Sequence, residues 1–187
     1  MTKIQISELE KHFKEILKII GEDPTREGLV ETPLRVAKAY VEWFRGYTEG
    51  PEYKLFTSKY AGMVIKKDIP FTSFCEHHIA MYSGFINFGY IPNGKVTGIS
   101  KIIRRFQHIA GKLTIQENLT EELIEDFELQ VKPKGSIIII EALHSCEGSR
   151  GVKVPNVPTV TSSVRGCFLK PDLGKTPKEE FLKIIGK

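Results

Sequence analysis

Two short clusters of reactive residues, far apart in the chain, constrain the fold more than any other feature. Cys75-Glu76-His77-His78 sets a thiol, a carboxylate and two imidazoles in consecutive positions inside the stretch Phe74–Ser83. About seventy residues later, His144-Ser145-Cys146 is followed by Arg150-Gly151. The chain holds 5 His and 3 Cys, and most of them fall in these two windows. Packing alone does not gather such residues, so the rest of the chain reads as a scaffold that brings the windows together.

Spacing leaves the details open. In a tight turn Cys75 and His78, three apart, converge on one ion; in a straight strand His77 would share a face with Cys75 instead. His144-x-Cys146 falls at the end of a predicted strand, where residues two apart point the same way, so both are expected to face one space. Four protein ligands would close a metal site, whereas three would leave a position for water. An odd number of cysteines argues against a disulfide framework and for reduced thiols.

The scaffold can be read from periodicity and punctuation. Ser7-x-x-Glu10 is a capping-box pattern, and Leu9, Phe13, Ile16, Leu17 and Ile20 follow at helical spacing, with Gly21 closing the helix. Thr32-Pro33 predicts the cap and first turn of a second helix, with Val36, Tyr40, Val41 and Phe44 on one face. These helices read as a packing or oligomerisation arm over residues 1–58, ahead of a catalytic unit over 59–187, with Gly46–Pro51 as a linker. Strands are predicted over Val64–Phe71 and Gly84–Ile91, with a hairpin turn at Pro92-Asn93-Gly94-Lys95. Helices are predicted from a Ser100 cap to Lys112 and from a Thr120 cap to Gln130. Ser136–Leu143 suits a buried strand, Thr159–Phe168 a last strand and Lys178–Ile185 a final helix. Cys167 is expected as a core thiol of that last strand, and His12 and His108 on surfaces or helix faces.

Charge narrows the partners. A net charge of +4 is too mild to name nucleic acid. Its distribution says more: Lys95, Lys101, Arg104, Arg105 and Lys112 form a stretch without acids, and Glu117 to Glu128 one without bases. That asymmetry suggests an anionic small molecule held on one side. Lys101 and Arg104 near a helix start, with Arg150 just past Cys146, make a usual phosphate receptor. Gln116-Glu117, predicted to lie between the two helices, offers an amide and a carboxylate to the amidine edge of a guanine. No stretch approaches the ~20 apolar residues of a membrane span. The opening Met1-Thr2-Lys3-Ile4-Gln5 lacks a secretory pattern, so a cytoplasmic protein without membrane partners is expected.

From Gly21 to Leu182 the chain resembles type I GTP cyclohydrolases. The resemblance rests on Gly21–Leu29, Thr32–Lys38, Cys75-Glu76-His77-His78, Tyr90-Ile91-Pro92, Gly98-Ile99-Ser100-Lys101, Gln116–Thr120, His144-Ser145-Cys146, Arg150-Gly151-Val152 and Glu180-Phe181-Leu182. It implies an α+β tunnelling fold: a four-stranded antiparallel sheet with two helices in the order strands, helices, strands, behind an N-terminal helical arm. It implies pentameric barrels stacked as a decamer with active sites at subunit interfaces. The same resemblance puts Zn2+ on Cys75, His78 and Cys146, and proton transfer on His77 and His144. Ser100, Lys101, Arg104 and Arg150 then match positions around a triphosphate, and Gln116 with Glu117 match guanine recognition. The implied reaction is hydrolytic opening of the GTP imidazole ring, releasing formate and leaving 7,8-dihydroneopterin triphosphate, with no nicotinamide.

The chain departs from the family pattern in places. Members often carry arginine at Asn118, two arginines at Gly111-Lys112, Pro-Phe at Met81-Tyr82 and arginine at Lys178. None of these positions is an expected ligand. Glu147, beside Cys146, is expected to face solvent, because a carboxylate next to a thiolate ligand is electrostatically unfavourable.

Overall fold

The computed structural model describes residues 3–169 and 176–187. Helix α1 (Lys3–Ile19) and helix α2 (Thr32–Trp43) pack together, with Phe13 and Tyr40 in edge contact at 4.9 Å. No Gly or Pro interrupts the residues before Ser7, so α1 starts upstream of it and the expected capping box is not formed. Gly21 ends the helix as foreseen, at φ +91, with its N–H on the Lys18 carbonyl and the Glu22 N–H on Leu17. Thr32 is the first residue of α2 rather than its cap, because the turns over 26–32 already wind the chain before it; Pro33 does occupy the first turn. The arm is fastened to the following sheet by Trp43 and Phe44, whose rings lie 5.6 and 4.7 Å from Phe74.

Four strands form the main sheet: β2 (Val64–Cys75), β3 (Ala80–Ile91), β5 (Gly135–His144) and β6 (Thr159–Val164). They run antiparallel in the order β2-β3-β5-β6. Helices α3 (Ile99–Ile109) and α4 (Gln116–Val131) lie between the two strand pairs in sequence and pack on one face. This is the tunnelling fold, with its helical arm ahead of it. The core between sheet and helices holds Ile86, Phe88, Ile102, Phe106, Leu119, Leu123, Phe127 and Ile138, all fully buried. The outer face is covered at one end by helix α6 (Pro177–Ile185), whose Phe181 packs with Ile137, Ile139 and Phe168. Gly89 makes room for that contact, since a β-carbon there would sit 2.8 Å from the Phe181 ring.

A bulge in β2 decides which side chains face the helices. Pairing runs Val64↔Tyr90 to Lys66↔Phe88, then resumes at Ile69↔Ile86 with an extra residue on β2. Asp68 adopts φ +51 there, its N–H held by the Asn87 side chain at 3.1 Å. The extra residue changes the parity of the strand, so that Ile69, Phe71, Ser73 and Cys75 turn toward the helices.

Several boundaries differ from expectation for local reasons. The Pro92–Gly94 turn is made, but it leads into β4 (Lys95–Thr97), which pairs with β1 (Leu55–Thr57) rather than back onto β3. Ser100 lies inside α3, whose N-cap is Gly98, and the helix stops at Ile109. Helix α4 begins at Gln116, so Gln116-Glu117 is its first turn and not a loop. Thr120 is interior to α4 and its hydroxyl donates to the Gln116 carbonyl at 2.8 Å. The last strand ends at Val164 because Gly166, at φ +59, starts a 3₁₀ turn; Cys167 sits in that turn, against the outer cluster. The opposite charges of the two stretches meet in part. Arg105 pairs with Asp126 and Lys112 with Glu122, while Lys101 and Arg104 stay outside the ion pairs of the described residues.

Phe181→Ala removes a fully buried ring and opens the Gly89 recess. It is expected to lower unfolding stability by about 3 kcal/mol, read as a lower urea midpoint at unchanged slope.

Candidate active site

The reactive residues gather where β2 ends, β3 begins and β5 ends. Cys75 is the last residue of β2 and pairs with Ala80, the first of β3; Tyr82 pairs with His144, the last of β5. By strand alternation Ser73, Cys75, Tyr82 and His144 share the helix-facing side. Glu76, His77, His78 and Ile79 form the exposed connection between β2 and β3, closed by the Ile79 N–H on the Cys75 carbonyl at 2.9 Å. Ile79 is held at φ +51, a region that costs a β-branched residue about 1–2 kcal/mol. The Cys75↔Ala80 pairing imposes it, and the result is a tight turn in which Cys75 and His78 converge.

After His144 the chain coils into one helical turn, α5 (Ser145–Gly148), instead of extending the strand. The Ser145 hydroxyl donates to the Met81 carbonyl, and the Ser149 N–H closes on the Ser145 carbonyl at 2.9 Å. His144 and Cys146 therefore do not share a face by strand alternation, as the spacing had suggested. The helical turn carries the Cys146 sulfur to Cys75 instead.

Among the described residues, Cys75, His78 and Cys146 form a group whose ligand atoms all lie within 4.8 Å of one another. Cys75 Sγ is 3.8 Å from His78 Nδ1. Tetrahedral bonds of about 2.3 Å to sulfur and 2.1 Å to nitrogen separate ligand atoms by roughly 3.6–3.8 Å, so this donor set fits a metal ion. His77 Nδ1 is also 3.8 Å from Cys75 Sγ, but His77 is not in the group with Cys146, and neither is His144. His78 Nδ1 is the nitrogen on the side of Cys75, while Arg150 Nη1 donates to its Nε2 at 2.8 Å, a contact that would have to open for Nδ1 to bind a metal, since Nε2 would then carry the hydrogen. The Cys146 thiol is pushed above its usual range, first by burial and then by the neighbouring Cys75 sulfur.

His144 is held from two directions. Its ring stacks on Tyr82 at 4.4 Å and 8°, and its Nε2 lies 2.8 Å from Gln116 Oε1. Burial lowers its pKa, against the opposing pull of Glu117 and Glu147, so the neutral ring prevails at pH 7. Tyr82 is itself buried, with its phenol pushed up to about 12 by that burial. Gln116 is 1% exposed and its Nε2 contacts Ile140 O, Thr159 O and Thr161 Oγ1 at 3.0–3.2 Å. Glu117, one residue on, is exposed. Glu147 is half-buried rather than fully solvent-facing. A cavity of about 390 Å³ lies against His144, lined also by Met81, Leu143, Ser145 and Pro155. A larger one of about 590 Å³ lies along Pro70, Thr72, Ser83, Phe85 and Glu141, away from the metal group.

One chain does not bring every expected residue to this place. Cys75, His77, His78, His144, Cys146, Arg150, Gln116 and Glu117 lie at one end of the sheet. Ser100, Lys101 and Arg104 sit in the first half of α3, a helix about 15 Å long. The chain just past the opposite end of that helix is what reaches the site, with the Phe74 N–H, beside Cys75, donating to the Lys112 carbonyl. Sequence reasoning also missed Tyr82, which appeared only as a departure from a family pattern. The pairing that sets it opposite His144 has no local signature in the sequence.

Known proteins resemble this chain over nearly its whole length. The family model for GTP cyclohydrolase I matches residues 9–186. A GTP cyclohydrolase 1 from Porphyromonas gingivalis is 44% identical over 100% of this chain and 99% of its own length. One from Campylobacter curvus is 44% identical over 94% of this chain and 93% of its own. Among solved structures, the apo form of the archaeosine synthase QueF-Like matches with a TM-score of 0.43 and 20% identity, over 56% of this chain and 96% of that one.

Two substitutions separate ligands from their neighbours. Cys146→Ser is expected to weaken metal binding on the order of 100-fold, whereas His144→Ala retains the metal. Because the raised Cys146 thiol must lose its proton to bind, affinity should fall as pH is lowered from 8 to 6. Competition with a chromogenic chelator checks both.

Proposed function

The chain belongs to the GTP cyclohydrolase I family, and from that footing we propose a zinc-dependent hydrolysis of GTP that yields formate and 7,8-dihydroneopterin triphosphate. GTP cyclohydrolase activity itself follows from family membership at 39–44% identity over nearly the full chain. The observation that supports the finer reading is the trio Cys75, His78 and Cys146, three candidate ligands grouped among the described residues, beside a fixed histidine. Zinc bound there would supply Lewis acidity and lower the pKa of water toward neutrality.

The chain's own residues account for the remaining needs. His144, neutral at pH 7, can take up or deliver a proton as the purine ring opens; exposed His77 is the second candidate for proton transfer. Exposed Glu117, beside Gln116 at the start of α4, stands where the guanine N–H edge would be recognised. Arg150, two residues past the turn α5, supplies a cation for phosphate oxygens. No hydride acceptor enters this chemistry.

Ser100, Lys101 and Arg104 are proposed to hold the triphosphate, with Lys101 and Arg104 outside the ion pairs of the described residues. Their place on the far half of α3 supports sites completed between subunits. The proposed assembly is a homo-oligomer, a decamer of two pentamers, with residues 1–58 as its arm and 59–187 as the catalytic unit. No described helix is long and apolar enough to cross a membrane. A cytoplasmic location and the absence of nucleic-acid partners remain part of the proposal.

Zinc-loaded protein incubated with GTP should release formate and form a fluorescent pterin after oxidation, in equal amounts. His144→Ala should lower that rate on the order of 100-fold or more with the metal still bound. A zinc-loaded protein that leaves GTP intact would sink the reading. Shared sites have their own test: Cys75→Ser and Lys101→Ala proteins, each inactive alone, should regain part of the activity when co-refolded. Two inactive proteins whose mixture stays inactive would mean that each chain builds its site unaided.

A further inference from the structure

Gln116 lies in the first turn of α4 with a side chain that is almost wholly buried, and the direction of every hydrogen bond around it can be worked out. Ile140 O and Thr159 O can only accept, and both face Gln116 Nε2, at 3.2 and 3.0 Å. They fix which end of the amide is nitrogen. A second line of reasoning agrees. The Thr120 hydroxyl has one hydrogen, and the Gln116 backbone carbonyl, 2.8 Å away, takes it. Thr161 Oγ1, 2.7 Å from Thr120 Oγ1, then donates to Thr120 and turns a lone pair to Gln116 Nε2 at 3.0 Å, so that three acceptors share the two amide hydrogens. The amide oxygen is thereby left pointing at His144 Nε2, 2.8 Å away, and an amide oxygen only accepts. His144 Nε2 must carry a hydrogen. In the neutral ring, Nδ1 is the atom with the lone pair.

We propose that Gln116 is a positioning residue for His144: its carbonyl, held by β5 and β6, selects the Nε2–H tautomer and makes Nδ1 the atom that exchanges protons with substrate. Tyr82, stacked at 8° on the imidazole, sets the plane of the ring, and Gln116 sets which edge of the ring faces α4. Neither restraint suffices alone, because a stacked ring can still flip by 180° about Cβ–Cγ, which puts Cε1 where Nε2 was and Cδ2 where Nδ1 was. The amide of Gln116 is fully engaged by the protein, so its side chain has no donor left for a purine. Recognition of the guanine edge by a side chain of this pair then falls to Glu117, exposed one position further along the helix. Two adjacent residues divide the work: one points into the sheet and orients a base, the other points out and meets the ligand.

This inference rests on the proposed GTP hydrolysis only for its kinetic arm. The decisive measurement is magic-angle-spinning NMR of sedimented, zinc-loaded protein labelled with 15N-histidine, with His144 assigned by comparison with His144→Asn. Wild-type His144 is expected to show Nε2 as the protonated nitrogen and Nδ1 as the pyridine-type nitrogen. In Gln116→Met, which keeps the volume and removes the acceptor, that preference should be lost. Kinetically, Gln116→Met should lower kcat on the order of 100-fold with KM for GTP within about twofold, while Glu117→Gln should act mainly on KM. A wild-type Nδ1–H tautomer would overturn the proposal, as would an unchanged tautomer in Gln116→Met. A raised KM at normal kcat in Gln116→Met would return its amide to the purine. Should Gln116→Met not fold, the wild-type spectrum still decides. Should wild type not turn over GTP, the spectra still test the positioning role while the functional reading fails.

Discussion

Everything at this site depends on strand register. Cys75, Tyr82 and His144 come from three strands and meet on one face only because β2, β3 and β5 pair as they do. Side chains alternate along a strand, so a slip of one residue in any of the three would turn its contribution to the outer face. The bulge between Lys66 and Ile69 shows how directly this works. Without its extra residue the alternation that seats Val64 against the helices would continue through Pro70, Thr72 and Phe74, and Cys75 would point away from the core. The unusual backbone at Asp68 is thus a requirement of the metal group about seven residues further along.

Regular strands alone do not complete the group. Its other members hang on two irregular pieces of chain, the strained turn at Glu76–Ile79 and the single turn of helix at Ser145–Gly148. Each is anchored to the sheet by few bonds, Ile79 to Cys75 in the first and Ser145 to Met81 in the second. Candidate metal ligands can sit on such short connections because well-packed strands lie beneath them. The helix-facing residues Ile69, Phe71, Ser73, Cys75 and Tyr82 are all buried. Rigidity is made in the core and used at its rim.

What could be read from the sequence divides along the same line. Local patterns, such as the Ile137–Ile140 run, the Gly21 stop and the first-turn Pro33, placed elements well because the forces that form them act over a few residues. The helix starts at Ser7, Ser100 and Thr120 were misplaced because a hydroxyl that can cap can also sit within a helix, as Thr120 does on the Gln116 carbonyl. The metal trio was legible only through family resemblance; spacing by itself could not choose between His77 and His78, which lie at equal distance from Cys75. What separates them is the approach of Cys146, and that is set by α5, for which no sequence signal was found. Tyr82 was invisible for the same reason, since its partner His144 is sixty-two residues away and only register joins them.

The charges lead to one further step. The basic stretch after Lys95 and the acidic stretch after Glu117 look, in sequence, like two unneutralised faces. In the fold Arg105 and Lys112 meet Asp126 and Glu122 across α3 and α4, and Tyr53 donates to Asp126 as well. Pairing is therefore concentrated toward the middle and end of α3. Lys101, near its start, and Arg104, at its midpoint, remain without ion-pair partners among the described residues, in a helix whose other end leads toward the Cys75 strand end. An enzyme confined to one chain would have little use for cations so placed. In the proposed assembly, a ring of copies would bring that part of the helix to the metal group of a neighbour, and the unpaired charges would there have an anionic ligand to meet.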